Sequence, residues 1–325
     1  MQSRRDHFDP TTDRISDETR VTPLAGPKKR RRYWRWAASL AILVAASALY
    51  FHAFCNWPMH SEQWLSERMD DAVVRGLDYL YKAGTFGQLV NEGGESPPHH
   101  FFLELVLKRR DHPGLREQMA RAKNINRDNW EWRCFYGMPG WPRRDLTVAD
   151  HRHIKYAVGH SEGNYYGEWL LHGLYPERTK LRPVEETRLF KDTSLLKHSY
   201  QWTHALVAYL WLKQTHPTVA ADREVDRLIT EVTTRLYRTQ SWDPRTSDIF
   251  NERVAFLLYA DDGPPIQRRW IERIILSQNT DGGWTFRKSI DRTIGQLFGI
   301  DFGRGDSHTH ATFLALYALT HYETR

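Results

Sequence analysis

The sequence predicts an all-α protein, with one membrane-spanning helix followed by a large domain of helical hairpins. Three observations predict it. First, the apolar segment from Trp36 to Cys55 follows a run of cationic residues and has the length of a helix that crosses a bilayer. Second, three apolar runs open with a histidine: His100 to Leu107, His204 to Leu212 and His310 to Leu319. Runs that are apolar all round belong to buried helices. Third, a unit made of an amphipathic helix, a Gln/Trp turn and an apolar helix occurs twice, and repetition of this kind is a fold-level signal. Val225–Tyr237 leads into Gln240-Ser241-Trp242 and then Asn251–Ala260; Trp270–Ile275 leads into Gln278–Trp284 and then His310–Leu319.

Residues 1–35 are polar and basic. They hold ten Lys/Arg and five Asp/Glu, a net of +5 out of +6 for all 325 residues. Such a composition cannot bury a core, so a disordered tail is expected up to about Pro27. Because the basicity is confined to the tail, a broad phosphate-binding face is excluded and nucleic acid is not an expected partner. Lys28–Arg32 and the aromatics Tyr33, Trp34 and Trp36 crowd one end of residues 36–55, where His52 is the only strongly polar side chain. Aromatic ends and one-sided positive charge predict a single-pass anchor in the bilayer, with the tail cytoplasmic and residues 56–325 periplasmic or extracellular. Ala46-Ser47-Ala48 also fits a signal-peptidase site, which would remove residues 1–48. Cys55 and Cys134 make no disulfide framework or metal knuckle.

The soluble part, about 270 residues, has room for roughly ten to twelve helices. Leu65, Met69, Val73, Leu77 and Leu80 recur at helical spacing between Ser61 and Ala83. Gly93-Gly94 and Pro97-Pro98 then break the chain before the first apolar run. The stretch from Asn124 to Glu162 carries Trp130, Trp132, Tyr136 and Trp141 among prolines and glycines and reads as an insertion over one end of the domain, the kind of long segment that often carries function. Tyr165–Leu174 reads as a short helix and Pro176–Val184 as an exposed connection.

The last hairpin carries a resemblance. Gln278-Asn279-Thr280-Asp281-Gly282-Gly283-Trp284, followed by His310-Ala-Thr-Phe-Leu-Ala-Leu-Tyr-Ala-Leu319, is similar to the Gln-x-x-Asp-Gly-Gly-Trp repeat and following helix of the terpenoid cyclase and protein prenyltransferase superfamily. The resemblance implies an α/α toroid, with inner and outer rings of helices, possessing Gln278 and Trp284 as stitches between hairpins. Prenyltransferases hold zinc through an Asp, a Cys two residues later and a His on a later helix. Asp281 and His310 match the first and third roles, and Gly283 occupies the second. The cyclase signatures Asp-x-Asp-Asp and Asp-Asp-x-x-Asp do not occur, nor does a Gly-rich phosphate loop or a Gly-x-Ser-x-Gly elbow.

In a toroid the starts of the buried helices share one end, so His100, His204 and His310 are expected to converge there. Imidazoles with a carboxylate suit zinc or another divalent metal. The expected metal ligands are His308, His310, His204 and Asp281. The expected catalytic groups are His310, His204, Asp306 and Glu168. Against this stands the structural reading: a histidine at a buried helix start often only bonds loop carbonyls, and Asp before Gly-Gly is ordinary turn chemistry. Three functions follow. The leading expectation is a membrane-anchored toroid that binds, and transforms if it is an enzyme, an apolar, lipid or amphipathic ligand in a His-lined central cavity. The second is a carbohydrate-active lyase or hydrolase acting on a glycan, with the Trp-rich insertion as sugar platforms. The third is a non-catalytic scaffold for a membrane-protein partner.

Overall fold

The computed structural model describes residues 27–141, 146–147, 149–150, 165–177, 187–191, 199–261, 263–286, 289–290 and 305–322. It is mostly helical and falls into two compact units, residues 1–50 and 51–325. The first unit's described part is helix α1, Pro27–Asn56, whose last residues belong to the second unit. Tyr33–Asn56 of that helix contains an 18-residue window with a mean hydropathy of 1.8, long and apolar enough to cross a membrane and also compatible with a signal sequence. The helix begins earlier than the expected Trp36. Proline is pre-organised for the first helical position, and the Lys and Arg that follow are good helix formers.

In the second unit, α2 (Glu62–Ala83), α3 (Pro97–Arg109), α4 (Pro113–Ile125), α5 (Trp130–Phe135) and α6 (Tyr165–Leu174) are followed by α7 (Ser199–Thr215), α8 (Pro217–Asp222) and α9 (Val225–Ser241). Helices α10 (Asp248–Tyr259), α11 (Arg268–Leu276) and α12 (Thr309–Tyr322) follow. The apolar runs read from sequence are α3, α7, α10 and α12. Helix α12 packs against α2, α3, α10 and α11, and α10 packs against α7 and α9. The amphipathic helices α2, α9 and α11 flank the buried four.

The boundary residues act as the chemistry of helix ends requires. Ser61 accepts from Trp64 N at 3.1 Å and Ser247 from Phe250 N at 3.4 Å, starting α2 and α10. Gly84, at φ 71°, closes α2 in the left-handed conformation. His112 starts α4 by accepting from Leu115 N at 3.1 Å, and Pro113 and Pro217 take the first turns of α4 and α8. His112, which follows the first apolar run, thus has a structural role as a helix cap.

The Gln278–Trp284 turn ties three helices together. Gln278 Nε2 donates to Ala72 O of α2 and Gly282 O, each at 2.8 Å. Trp284 Nε1 donates to Ile274 O of α11 at 2.7 Å, and Trp284 N to Thr312 Oγ1 of α12 at 3.0 Å. Sequence reading missed four two-residue strands, β1 (Arg245–Thr246), β2 (Trp284–Thr285), β3 (Ser289–Ile290) and β4 (Ser307–His308). β2 pairs antiparallel with β4, Trp284 opposite His308, and this clip sets where α12 begins.

The aromatic stretch after Asn124 differs from the expected insertion. Trp130–Phe135 is helical, and Trp132 and Tyr136 are buried, as is Trp141, whose Nε1 donates to Glu104 Oε2 at 2.8 Å. Burial removes Trp132 and Trp141 from service as exposed sugar platforms. Most of residues 142–164 and 178–198 lie outside the described residues, and so does most of Pro176–Val184.

A candidate metal and acid–base site at the helix starts

The first turns of α3, α7, α10 and α12 meet at one end of the second unit. Their later turns interlock as aromatics. Phe102 lies 5.0 Å from Phe256, 5.4 Å from Tyr259 and 5.4 Å from Tyr317, ring centre to ring centre, and Phe101 lies 5.5 Å from Trp211. The polar groups at the helix starts therefore stand on an aromatic floor.

Three histidines gather there, each held through Nδ1. His310 Nδ1 lies 2.8 Å from Asp248 Oδ1, and Asp248 Oδ2 accepts from Tyr200 Oη at 2.8 Å. His204 Nδ1 donates to Tyr200 O at 2.9 Å and lies 3.2 Å from Glu252 Oε1, which also accepts from Thr203 Oγ1. His99 Nδ1 bonds Glu95 Oε2, and Glu95 Oε1 accepts from Thr309 Oγ1. The rings of His99 and His310 are 4.9 Å apart. In each case the neutral tautomer with its proton on Nδ1 has its lone pair on Nε2. A carboxylate or carbonyl behind the other nitrogen is how proteins orient imidazoles that bind metals or move protons.

Asp248, Glu252 and His310 form the tightest group: one ligand atom from each lies within 4.8 Å of the others. Both carboxylates are fully buried, and Glu252 Oε2 has no hydrogen-bond partner among the described residues. A buried, half-satisfied carboxylate costs several kcal/mol unless a cation faces it. Asp248 sits in the first turn of α10, where the positive end of the helix dipole favours its charge.

The electrostatics follow from this packing. Burial works against the His310 imidazolium, but the bond to Asp248 and the charges of Asp248, Glu252 and Glu95 outweigh it and raise the group above its ordinary value. Burial works in the opposite sense on Glu95, yet its bonds to His99 and Thr309 hold it down at about 2. For His99 burial wins over Glu95, so its proton is held less tightly than usual.

Of the residues singled out in the sequence, the structure brings His204 and His310 into the cluster. The others fall elsewhere. Asp281 Oδ1 accepts from Gly283 N at 3.0 Å and Ser307 Oγ at 2.6 Å, an Asx turn that closes the Gly-Gly bend. His308 is exposed, and its Nδ1 accepts from His310 N at 3.2 Å, as a capping residue does. Asp306 is exposed on the rim, where burial, Asp281, Asp306 and Glu95 together raise the Tyr79 phenol. Glu168 falls within α6, and its side chain lies outside the described residues. His100 turns away from its neighbour His99 into the core, between Phe86 and Trp132 at 5.1 and 4.8 Å.

Sequence reading missed Glu95, His99, Asp248 and Glu252. A signal was present. Glu95–His99, Tyr200–His204 and Asp248–Glu252 are all four residues apart; the last two pairs lie within α7 and α10, where that spacing puts them on one helical face, and Glu95 stands just ahead of the start of α3. Comparison of the chain with protein-family models, with curated proteins and with solved structures gives no match.

Proposed function

We propose that the chain is a membrane-anchored, extracytoplasmic α/α-toroid enzyme that transforms an apolar or amphipathic ligand with a divalent metal held by Asp248, Glu252 and His310. The observation that carries this reading is the convergence of those three donors, with a buried Glu252 oxygen that has no partner among the described residues. A toroid accounts for the pattern in which α3, α7, α10 and α12 are buried and start at one end while α2, α9 and α11 flank them. The apolar run in α1 with its one-sided cationic flank supports the anchor.

The donor set fits a metal. Two carboxylates and an imidazole, with His204 beside them, suit a borderline divalent ion such as zinc, manganese or iron. The set also redraws the prenyltransferase likeness. With Asp248 and His310 in the Asp and His roles, the Cys role falls at Phe250, which cannot bind a metal. Thiolate activation therefore does not fit, and Glu252, one turn along, supplies the second charge. A bound metal would contribute Lewis acidity and an acidified water. The chain's own residues would orient and exchange protons: Asp248 fixes the His310 ring, Thr203 and His204 fix Glu252, and the Glu95–His99 pair stands beside His310 as a proton acceptor. A scaffold would have no use for so many carboxylate-held imidazoles at one buried point, since such groups cluster at functional sites.

The test is the metal content of the detergent-solubilised full chain, as isolated and after exposure to zinc, manganese or iron(II). About one equivalent per chain is expected for a mononuclear site. It should be lost in Asp248→Asn and His310→Ala variants whose circular dichroism is unchanged. Wild-type protein that retains no stoichiometric metal would overturn the reading.

A further inference from the structure

The two Gln/Trp turns are not equivalent. Trp284 is 1% exposed and stitched to α11, whereas Trp242, its counterpart after α9, is 50% exposed. Trp242 packs on the end of α1: its ring lies 6.4 Å from Phe51 in a stacked arrangement and 4.9 Å from His52. Arg238 and Thr239, on the preceding turn, are exposed beside it. A half-exposed tryptophan flanked by a cation is the surface composition that lipid–water boundaries prefer.

The end of α1 is built into this unit. Asn56 Nδ2 donates to Ser241 O at 2.9 Å and Asn56 Oδ1 accepts from Trp270 Nε1 at 3.1 Å. Cys55 is buried, and Glu272 accepts from Met59 N at 2.9 Å and His60 N at 3.3 Å. The direction of travel is also fixed. Helix α9 ends at Ser241 and α10 begins at Asp248, so Trp242 shares the end that holds the Asp248–Glu252–His310 cluster. From Phe51, beside Trp242, the chain proceeds to Glu62, which pairs with Arg268 at 3.4 Å. Arg268 opens α11 after α10 has crossed the unit, and so stands toward the opposite end. Phe51 is the residue at which the apolar stretch enters this unit, and it enters at the end with the site.

We propose that the domain is seated on the bilayer by this end, with Trp242 and Arg238 in the lipid–water boundary and the helix-start cluster facing the membrane. The occupant of the Trp242 face is lipid, by continuity with the apolar stretch that precedes Phe51. The ligand class within reach of the site is then an amphiphile resident in that leaflet, with its polar group toward the carboxylates and imidazoles. This inference rests on the anchor reading, and the experiment below separates the two.

The full chain is reconstituted in vesicles of phosphatidylcholine and phosphatidylglycerol as Trp242→Cys carrying an environment-sensitive dye. Asp222→Cys, exposed at the end of α8, is the control at the opposite end. The native Cys55 and Cys134 are buried and do not compete for label. At position 242, emission is expected to be lost to a doxyl-lipid quencher and protected from iodide; at position 222 the reverse is expected. If losing the Trp242 ring disturbs the fold, Thr239→Cys reports the same face. Chain released from vesicles by alkaline carbonate would overturn the anchor and the seating together. Chain that stays in the membrane, with label 242 as open to iodide as label 222, would overturn the seating alone.

Discussion

Glu252→Gln separates a metal ligand from a structural carboxylate by the sign of its effect. Glu252 is fully buried; its Oε1 accepts from Thr203 and lies beside His204, while Oε2 has no partner among the described residues. Glutamine keeps the shape and removes the charge. The metal-free variant should therefore match or exceed the metal-free wild type in stability, by up to about 1–3 kcal/mol, the penalty of an unsatisfied buried group. Metal should act oppositely. At a free concentration 100-fold above Kd it stabilises the folded wild type by about 2.7 kcal/mol. At about 2–4 °C per kcal/mol for a large domain, that raises Tm by about 5–10 °C, and the variant should show little or none of this rise. The assay is differential scanning fluorimetry of both proteins, stripped with chelator and then titrated with zinc and manganese. Equal metal-induced shifts in the two would remove Glu252 from the ligand set. A variant several kcal/mol less stable with and without metal would show that the carboxylate serves packing alone.

Four further outcomes follow from individual positions. Gly282 has φ 92°, and a Cβ there would fall well inside contact distance of Arg75 O; Gly282→Ala should cost about 2–5 kcal/mol in urea unfolding, left-handed strain plus overlap, and a cost below 1 kcal/mol would mean that the turn relaxes freely. Burial, with the charges of His99 and Lys123, pushes His100 down to about 3. Below pH 6.5 the unfolded chain binds a proton that the native chain refuses, so stability falls with pH at about 1.4 kcal/mol per unit from this group. His100→Phe should remove that slope between pH 6.5 and 4, and an unchanged slope would refute the burial argument. His204→Ala should weaken metal binding about 10- to 100-fold through loss of support for Glu252, while His308→Ala should leave metal content intact and cost about 1 kcal/mol as a lost cap; the reverse pattern in metal titration would restore His308 to the ligand set.

The helices were legible because their signals are local. Full-surround apolarity marked α3, α7, α10 and α12, and Ser61, Gly84 and Pro113 marked ends with the chemistry that ends need. The site was legible only in half. His204 and His310 stood out as polar residues heading apolar runs, and both lie in the cluster. Their carboxylate partners did not, because Asp248 and Glu252 meet His310 across 62 and 58 residues of chain, and nothing local couples them. Asp281 drew attention through its motif, yet the motif's physical demand is a tight bend, which Asp281 satisfies by accepting from Gly283 N. His99 and His100 differ by one position, which on a helix is a turn of about 100°. The sequence favoured the second, whereas the packing of Phe86 and Trp132 around His100 leaves the first facing the site.

The unequal fates of Trp242 and Trp284 connect site to surface. Where Trp284 closes its turn with an indole bond to Ile274 O, the earlier repeat closes with charge. Arg253 Nε donates to Gln240 Oε1 at 2.6 Å and Nη2 to Asp243 Oδ2 at 2.5 Å, and Asp243 also accepts from Arg245 Nε at 2.8 Å. Arg253 and Asp243 are buried, and a buried pair of this kind fixes geometry more than it adds stability. That network anchors the turn from beneath, so the indole is not needed as a stitch and Trp242 stays at the surface. The same network fixes the start of α10, because Arg253 adjoins Glu252 and Arg245 lies three residues before Asp248. A rigid α9–α10 turn thus serves both purposes: it presents Trp242 outward and holds the two carboxylates inward, within a few residues of each other and at one end of the domain.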